Sequence, residues 1–230
     1  MNLKASQSDE EDPTPEIRPF HPTDTTALDH IFRITADTAL RISPDPRTLL
    51  YGSYIWCHPY PFLSPSHCFV VALPSSGNAV GYILSTPSTT SFSKHYTSSY
   101  LPTLSPSIQQ PLPPDTDTAW RPDNLPNALL SKIQHADDWP AQIEREVPGV
   151  LERYPAHLHI DVLPEWQGQG WGTRLMEACL RRLKAEGVRG VHLQMVEGNV
   201  AARKFYLAVG FRMWAAEGSG MGEWCMVKDL

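Results

Sequence analysis

The feature that most constrains the fold is the stretch LHIDVLPEWQGQGWGTRLMEACLRRL, residues 158–183. It begins with the alternating polarity of a β-strand, breaks at Pro164 and continues with the apolar spacing of a helix. Gly168, Gly170 and Gly172 lie between strand and helix. Glycines let the backbone approach a ligand, and the first turn of a helix has free N–H groups. The pattern therefore predicts a phosphate or diphosphate site, with a ligand-free tight turn as the alternative.

Two common phosphate-binding motifs do not fit this stretch. A P-loop requires Gly-Lys-Ser/Thr at the start of the helix, whereas Gly172 is followed by Thr173 and Arg174. A dinucleotide-binding fingerprint requires its third glycine at position 173 and normally lies in the first βαβ unit of a chain. The glycine cluster must therefore bind a different kind of phosphate ligand, if it binds one.

Length and composition predict a single globular domain. The chain has 230 residues, of which 41% are hydrophobic and 19% are charged. Residues 1–15 are polar and acidic, without the apolar core of a signal peptide, and predict a disordered tail before a domain over residues 16–230. No apolar run is long enough to span a membrane, and the net charge of -6 argues against nucleic-acid binding.

The cysteines predict a reducing compartment. Cys57, Cys68, Cys179 and Cys225 form no CxxC pair, so we expect free thiols in the cytoplasm or the nucleus. Cys57 and Cys68 each neighbour a histidine, but the interval between the two pairs lacks the spacing of a zinc finger. We therefore predict that these cysteines lie in the core and that the chain holds no metal.

The order of predicted elements indicates an α/β fold around a central sheet. The segments HCFVVAL and AVGYILS predict a β-hairpin, and from Pro155 onward the predicted order is β-α-β-α-β-β. FRMWA and EWCMVK would form a closing hairpin over the turn EGSGMG. Between these two halves lies a segment rich in proline, serine and threonine, residues 86–154, with short helices predicted in LPNALLSKIQH and WPAQIEREVPGVLERY. A loop of this length rarely lacks a role, so we expect an ordered cover, a substrate-selecting lid, or both.

Two motifs in the last third of the chain resemble the signature of the GCN5-related N-acetyltransferase (GNAT) superfamily. Gln167, Gly170 and Gly172 match the family pattern Gln/Arg-x-x-Gly-x-Gly/Ala. The segment NVAARKFYLAVGF matches Asn-x-x-Ala-x-x-x-Tyr-x-x-x-Gly-Phe through Asn199, Ala202, Tyr206, Gly210 and Phe211. The resemblance covers residues 156–214.

Within the superfamily, YPAHLHIDVLPEWQGQGWG resembles the acetyltransferase-like C-terminal domain of human O-GlcNAc hydrolase, a domain thought to lack activity. Trp171 departs from the family pattern, which usually has a smaller aliphatic residue there. This ring either reshapes the approach of the cofactor or packs outward.

The resemblance implies a GNAT-like mixed sheet with helices on both faces, in which residues 86–154 are an insertion before the central cofactor-binding strand. It implies an acetyl-CoA-dependent N-acetyltransferase that transfers acetyl directly to a primary amine on a small molecule or peptide, as a monomer or homodimer. The pantetheine arm of the cofactor would lie along the strand ending at Val162, where the family's sheet splays apart. The implied cofactor-binding residues are Val162, Gln167, Gly168, Gln169, Gly170, Trp171, Gly172, Thr173, Asn199, Ala202 and Tyr206. Asn199 has a second interpretation as a helix cap.

The resemblance also places Tyr206 at the general-acid position, where the alternative is a half-buried structural aromatic. If the strand before the glycines is regular, His157, His159 and Asp161 share one face, whereas a β-bulge would reverse this assignment. These polar residues have four explanations: proton transfer by Asp161 or His159, recognition of a cationic substrate, hydrogen bonds to the covering segment, or metal binding, which acetyl transfer does not require. The alternative function is a catalytically inactive acetyl-CoA-binding module that acts as a sensor or scaffold.

Overall fold

The computed structural model describes residues 14–196, 198–214 and 225–230. Within these ranges, seven strands form one mostly antiparallel sheet with the order β1-β2-β3-β4-β5-β7-β6. The strands are β1 (Glu16–Pro19), β2 (Cys68–Ala72), β3 (Ala79–Thr86), β4 (Ala156–Val162), β5 (Gly190–Gln194), β6 (Arg212–Met213) and β7 (Cys225–Asp229). Strands β4 and β5 pair in parallel, and the other neighbouring strands are antiparallel. The predicted α/β fold is confirmed.

Helices cover both faces of this sheet. They are α1 (Thr25–Thr35), α2 (Thr38–Arg41), α3 (Arg47–Trp56), α4 (Pro59–Leu63), α5 (Thr89–His95), α6 (Pro106–Gln109), α7 (Leu125–Gln134), α8 (Trp139–Glu146), α9 (Val150–Arg153), α10 (Trp171–Ala185) and α11 (Val200–Ala208). On one face, α10 packs on β1 to β4, and the Cys179 thiol donates a hydrogen bond to the Ser85 hydroxyl of β3. On the opposite face, α1 packs on β3 and β4.

The two predicted hairpins are present as strand pairs. β2 and β3 pair antiparallel, as do β6 and β7 near the end of the chain. The predicted turn EGSGMG between β6 and β7 lies outside the described residues, and so do residues 1–13 of the predicted tail. Both predicted hairpins therefore form antiparallel strand pairs.

The segment over residues 86–154 is a series of short helices, α5 to α9, rather than a loop. Its apolar side chains enter the main core, among them Phe92, Tyr96 and Leu129. The helix predicted over WPAQIEREVPGVLERY is instead two helices, because Val147 precedes Pro148 and the residue before a proline disfavours the helical conformation. The segment is therefore an ordered cover on the core, and its status as an insertion stays a prediction.

Strand β4 is regular along its pairing with β3. The register runs without a shift from Gly81 opposite Val162 to Thr86 opposite His157. The predicted face of β4 with His157, His159 and Asp161 is therefore confirmed, and it lies on the α1 side of the sheet. Pairing between β4 and β5 stops early. Ala156 and His157 are the last residues of β4 that pair with β5. Beyond them the two strands separate and leave a gap in the sheet.

Candidate active site

The gap between β4 and β5 exposes main-chain groups of β4. The Leu163 N–H donates to the Val80 carbonyl of β3 at 2.9 Å. In an antiparallel pair, every second residue directs its main-chain groups to the same neighbour, so Ile160 and Val162 direct theirs away from β3 and into the gap. The Val162 carbonyl accepts a hydrogen bond from the Gln167 side chain at 2.7 Å. The N–H groups of Ile160 and Val162 are therefore available to a ligand that enters the gap.

A cluster of backbone amides lies where the turn after β4 leads into α10. Within the described ranges, the N–H groups of residues 168–173, here called the amide cluster, donate to no protein acceptor. The Gln167 N–H lies outside this cluster because it donates to the Pro164 carbonyl at 3.2 Å. The first turn of α10 has no acidic residue that would repel an anion. Six free amides at a helix N-terminus form a site for a phosphate or diphosphate.

Two glycines are required by the shape of this turn. Gly168 has φ +74° and Gly170 has φ +84°, values that residues with a side chain rarely adopt. A Cβ atom added at either position would meet no protein atom within 4 Å. The backbone conformation thus demands glycine and leaves open space above the amide cluster, which fits a bound anion.

The side chains next to the amide cluster connect α10 to α11. A Cβ on Gly172 would lie 3.2 Å from the Phe205 ring, so the two motifs of the sequence are in direct contact. Trp171 is 5% exposed and packs in the main core, with the Arg174 guanidinium 4.6 Å from its ring centroid. The hypothesis that Trp171 packs outward is therefore wrong, because the start of α10 directs this ring into the core.

Helix α11 carries the remaining residues of the second motif. The Asn199 side-chain oxygen accepts the Ala202 N–H at 3.0 Å, which confirms its role as a helix cap. Tyr206 is half-buried between Phe205 and Phe211. Burial raises the pKa of Tyr206, and the negative charge of Asp161 raises it further. Tyr206 is therefore a protonated phenol at neutral pH, close enough to Asp161 to sense its charge.

His157 is held in place by two hydrogen bonds. Its Nε2 lies 2.7 Å from the Tyr60 hydroxyl, and its Nδ1 lies 2.7 Å from the Thr89 hydroxyl of α5. Burial lowers the pKa of His157 well below its usual value, with smaller contributions from His192 and His159. Both ring nitrogens are occupied and the ring is neutral. Of the four explanations for the polar face, hydrogen bonding to the covering segment therefore applies to His157.

Asp161 and His159 are the titratable groups of this face that remain open to a ligand. Burial raises the pKa of Asp161 to about 6, although hydrogen bonds from Tyr82 and Thr35 oppose the rise. The Tyr82 hydroxyl donates to Asp161 at 2.8 Å. Burial, together with smaller contributions from His192 and Lys132, lowers the pKa of His159 to about 4. At neutral pH Asp161 is mostly ionised and His159 is neutral. Asp161 is the better proton acceptor because its pKa is the higher of the two.

A cavity of about 950 Å³ covers this face of β4. His159 and Asp161 form part of its floor, and the segment 86–154 contributes Trp120, Lys132 and Glu146 to its walls. A smaller cavity of about 90 Å³ extends from it to the point where β4 and β5 separate. The cavity therefore connects the outside of the protein to the gap in the sheet, and the second hypothesis for the segment, selection of the substrate, also fits its position.

Sequence reasoning missed several residues of this site. Tyr60 and Tyr82 orient His157 and Asp161, and Lys132 and Trp120 line the cavity. Lys132 gave a usable signal, because it interrupts the apolar stripe of LPNALLSKIQ three residues after the buried Leu129. The two tyrosines gave none, since their partners are 97 and 79 residues away in the chain.

Metal sites and membrane-spanning helices are absent from the part of the chain that the structure describes. No group of three or more His, Cys, Asp or Glu side chains there is arranged to hold a metal ion. Cys57 and Cys68 are buried, as predicted. No helix within residues 14–196, 198–214 and 225–230 is long and apolar enough to cross a membrane.

Comparison with known proteins shows similarity over most of the chain. The model of the Acetyltransferase (GNAT) family matches residues 135–211, which include β4, the amide cluster and α11. The crystal structure of SsHAT is 36% identical in sequence, with a TM-score of 0.75, and the match covers 94% of this chain and 98% of that chain. This similarity includes the segment 86–154 as well as the glycine motif.

Two further proteins are similar over a shorter stretch or in fold alone. Mycothiol acetyltransferase of Nocardiopsis dassonvillei is 46% identical over 55 residues, which are 24% of this chain and only 17% of that protein. The PaiA N-acetyltransferase of Thermoplasma acidophilum, solved in complex with coenzyme A, is 12% identical with a TM-score of 0.53, and the match covers 94% of this chain and 99% of that chain. At this identity the similarity concerns the fold.

Proposed function

The chain belongs to the acetyltransferase (GNAT) family, and from this we propose that it is an acetyl-CoA-dependent N-acetyltransferase acting on a primary amine of a small molecule or peptide. Members of this family use acetyl-CoA, and a structure of the same fold is solved with coenzyme A. The observation that carries the proposal is the gap between β4 and β5, which has free main-chain N–H groups along one side and the amide cluster at its end.

The amide cluster would hold the diphosphate of the cofactor. Six free N–H groups and the positive end of the α10 dipole favour a double negative charge, and Gly168 and Gly170 leave room for it. Gln167 stabilises the turn that carries the amide cluster, because its side chain donates a hydrogen bond to the Val162 carbonyl of β4. Trp171, Thr173 and Ala202 complete the proposed binding residues at the starts of α10 and α11, and Asn199 keeps the first turn of α11 in place.

The free edge of β4 would bind the pantetheine arm. Ile160 and Val162 direct N–H groups into the gap, where amides of the arm can pair with them as a neighbouring strand would. Acetyl-CoA supplies an acetyl group activated as a thioester. An N–H of β4 that donates to the carbonyl oxygen of this group stabilises the negative charge that develops there, by about 3 kcal/mol for each donor.

Asp161 and Tyr206 have the protonation states that the two proton transfers need. The Asp161 carboxylate, with a pKa of about 6, accepts a proton from the ammonium group of the acceptor, directly or through water beside His159. After the neutral amine attacks the thioester carbon, the Tyr206 phenol would donate its proton to the departing sulfur, and the proton that the acylated nitrogen loses would restore the phenol. The charge of Asp161 raises the pKa of Tyr206, so the two groups are close enough to interact, which supports their roles in one site.

Two measurements test this proposal on the intact chain. Calorimetry with acetyl-CoA should show saturable binding, and a thiol-reactive dye should report release of coenzyme A in the presence of an amine panel. Absence of binding to folded protein would overturn the proposal. Binding without thiol release across the panel would instead indicate the inactive acetyl-CoA-binding module, the function that the closer resemblance to the O-GlcNAc hydrolase domain predicts.

A further inference from the structure

Lys132 places a cation in the wall of the cavity. It lies on α7, is half-buried, and lines both the large cavity and its extension toward the gap. The ion pairs among the described residues all involve arginine or histidine, and none involves Lys132. Burial lowers the pKa of Lys132, and Glu146 offsets only part of that effect. An unpaired ammonium group at this position is a binding site for an anion.

The side chain is held rigidly enough to serve as such a site. The Trp139 indole N–H donates to the Lys132 carbonyl at 2.8 Å, and the Lys132 ammonium lies 5.8 Å from the Trp139 ring centroid. The contact between α7 and α8 therefore anchors the backbone of Lys132 and places its ammonium group beside the Trp139 ring. Among the described residues that line the large cavity, Lys132 is the only lysine or arginine.

The other two carboxylates of the large cavity, Asp37 and Glu146, are exposed at its rim, where solvent screens their charges. Asp37 accepts the Ala39 N–H at 2.8 Å and caps α2. Glu146 is exposed and accepts a hydrogen bond from Gln142 at 3.1 Å. The histidines next to Lys132 are neutral because burial lowers their pKa values. Asp161 is half-buried in the same cavity as Lys132, so a ligand that enters it meets a negative group and a positive group that solvent screens less.

A ligand that satisfies both groups carries an amino group and an acidic group. We propose that the acceptor is a zwitterionic amine of the amino-acid type, whose amino group lies at Asp161 and whose carboxylate is bound by Lys132. This inference rests on the proposed function and narrows it to a substrate class. The Trp56 and Trp120 rings, 6.3 Å apart at the cavity wall, provide an apolar surface for the body of the acceptor.

The test compares acceptors that differ only in the carboxylate. Coenzyme A release is measured with the intact chain for tryptophan against tryptamine and for 6-aminohexanoate against hexylamine. A charge-assisted hydrogen bond to Lys132 should raise kcat/KM of the preferred carboxylate-bearing acceptor about tenfold or more over its matched amine, mainly through KM. This comparison needs no variant and so does not depend on the folding of one.

Variants then assign the preference to Lys132. Lys132→Met keeps the aliphatic stem and should abolish the preference, whereas Lys132→Glu should reverse it in favour of the amine. Lys94→Met is the matched control, because Lys94 is exposed on α5 in the same segment and does not line the cavity. The control should keep the preference of the unmodified chain.

Two kinetic results would overturn the inference while the proposed function stands. One is equal kcat/KM for both members of every pair, and the other is a preference that Lys132→Met leaves intact. Acetylation of Lys132 itself, detected by peptide mass spectrometry, would also overturn it, because Lys132 would then be an acceptor. Binding of acetyl-CoA without thiol release from any pair would overturn the proposed function and this inference together.

Discussion

The two sides of the gap between β4 and β5 are built in different ways. The cofactor side consists of the amide cluster and the start of α11, two short stretches whose local backbone conformation decides their chemistry. The acceptor side gathers Trp56, Trp120, Lys132 and Asp161 from elements far apart in the chain. A site made of backbone amides depends on few side chains, whereas a site made of side chains can change its ligand through substitutions in the covering segment.

The two sides also differ in their effect on the stability of the fold. The amide cluster uses N–H groups that a helix start leaves free in any case. The proposed acceptor side instead keeps Asp161 half-buried, where burial raises its pKa to about 6 and disfavours the ionised form that the proposed mechanism needs. We therefore expect variants on the cofactor side to change affinity, and variants on the acceptor side to change turnover and stability in opposite directions.

The largest expected effect is at Tyr206, the proposed proton donor. Tyr206→Phe keeps the ring packed between Phe205 and Phe211 but removes the proton donor, so kcat should fall by about 10²–10⁴-fold. Affinity for acetyl-CoA, measured by calorimetry, should stay the same. Tyr54→Phe is the control, since Tyr54 is a half-buried tyrosine of α3 that does not line the cavity. An unchanged kcat would remove Tyr206 from the mechanism.

Asp161→Asn tests the acceptor side through turnover. Loss of the base should lower kcat by about 10²-fold or more, without a change in acetyl-CoA affinity. In the unmodified chain, kcat should fall as the pH drops through about 6, because Asp161 becomes protonated. This acidic limb should be missing from the residual activity of the variant. A limb that persists in Asp161→Asn would assign the titration to another group.

The same variant tests the predicted conflict between stability and turnover. The folded-state pKa of Asp161 lies above its usual value of 3.8, so its protonation stabilises the fold fully below that value, and this stability is lost as pH rises through about 6. Asp161→Asn removes the buried charge and should raise the free energy of unfolding by about 2 kcal/mol at about pH 8. The difference in denaturant midpoint should disappear in acid. A variant that is less stable at high pH would contradict this account.

Two glycine variants distinguish the cost of an unfavourable backbone conformation from the loss of ligand binding on the proposed cofactor side. Gly170→Ala and Gly77→Ala both place a side chain at positive φ, +84° and +70°, with open space around it. Each should cost roughly 1–2 kcal/mol of unfolding free energy. Only Gly170→Ala should weaken acetyl-CoA binding, by about tenfold, because its strain moves amides of the cluster. Equal affinities in the two variants would place the diphosphate elsewhere.

The smallest expected effect is at Asn199. Asn199→Ala removes the cap of α11 and should cost about 1 kcal/mol of unfolding free energy. Ser88→Ala removes the cap of α5 and is the matched control, since Ser88 accepts the Ser91 N–H in the same way. Acetyl-CoA affinity should fall slightly in the first variant only, because the frayed turn adjoins the amide cluster. A large fall would instead indicate direct contact between Asn199 and the cofactor.

The sequence predicted features set by residues close together in the chain and missed contacts between residues far apart in it. The alternating residues of β4 predicted which side chains share a face, and the regular register with β3 confirmed it. The same alternation did not reveal that His157 is bound by Tyr60 and Thr89, whereas Asp161 faces the cavity. In the segment 86–154 the sequence predicted short helices in LPNALLSKIQH and WPAQIEREVPGVLERY. The structure adds α5 and α6, and burial of Phe92 and Leu129 against the core stabilises short helices that local propensity alone would not.

The sequence by itself determined the cofactor side, because a strand, a turn at positive φ and a helix start are set by interactions between residues close together in the chain. It also determined the α/β fold through the periods of its apolar residues. Only the tertiary structure decided the acceptor side. Long-range packing alone brings α3, α7 and β4 around one cavity, places Lys132 in its wall, and removes enough water from Asp161 to raise its pKa.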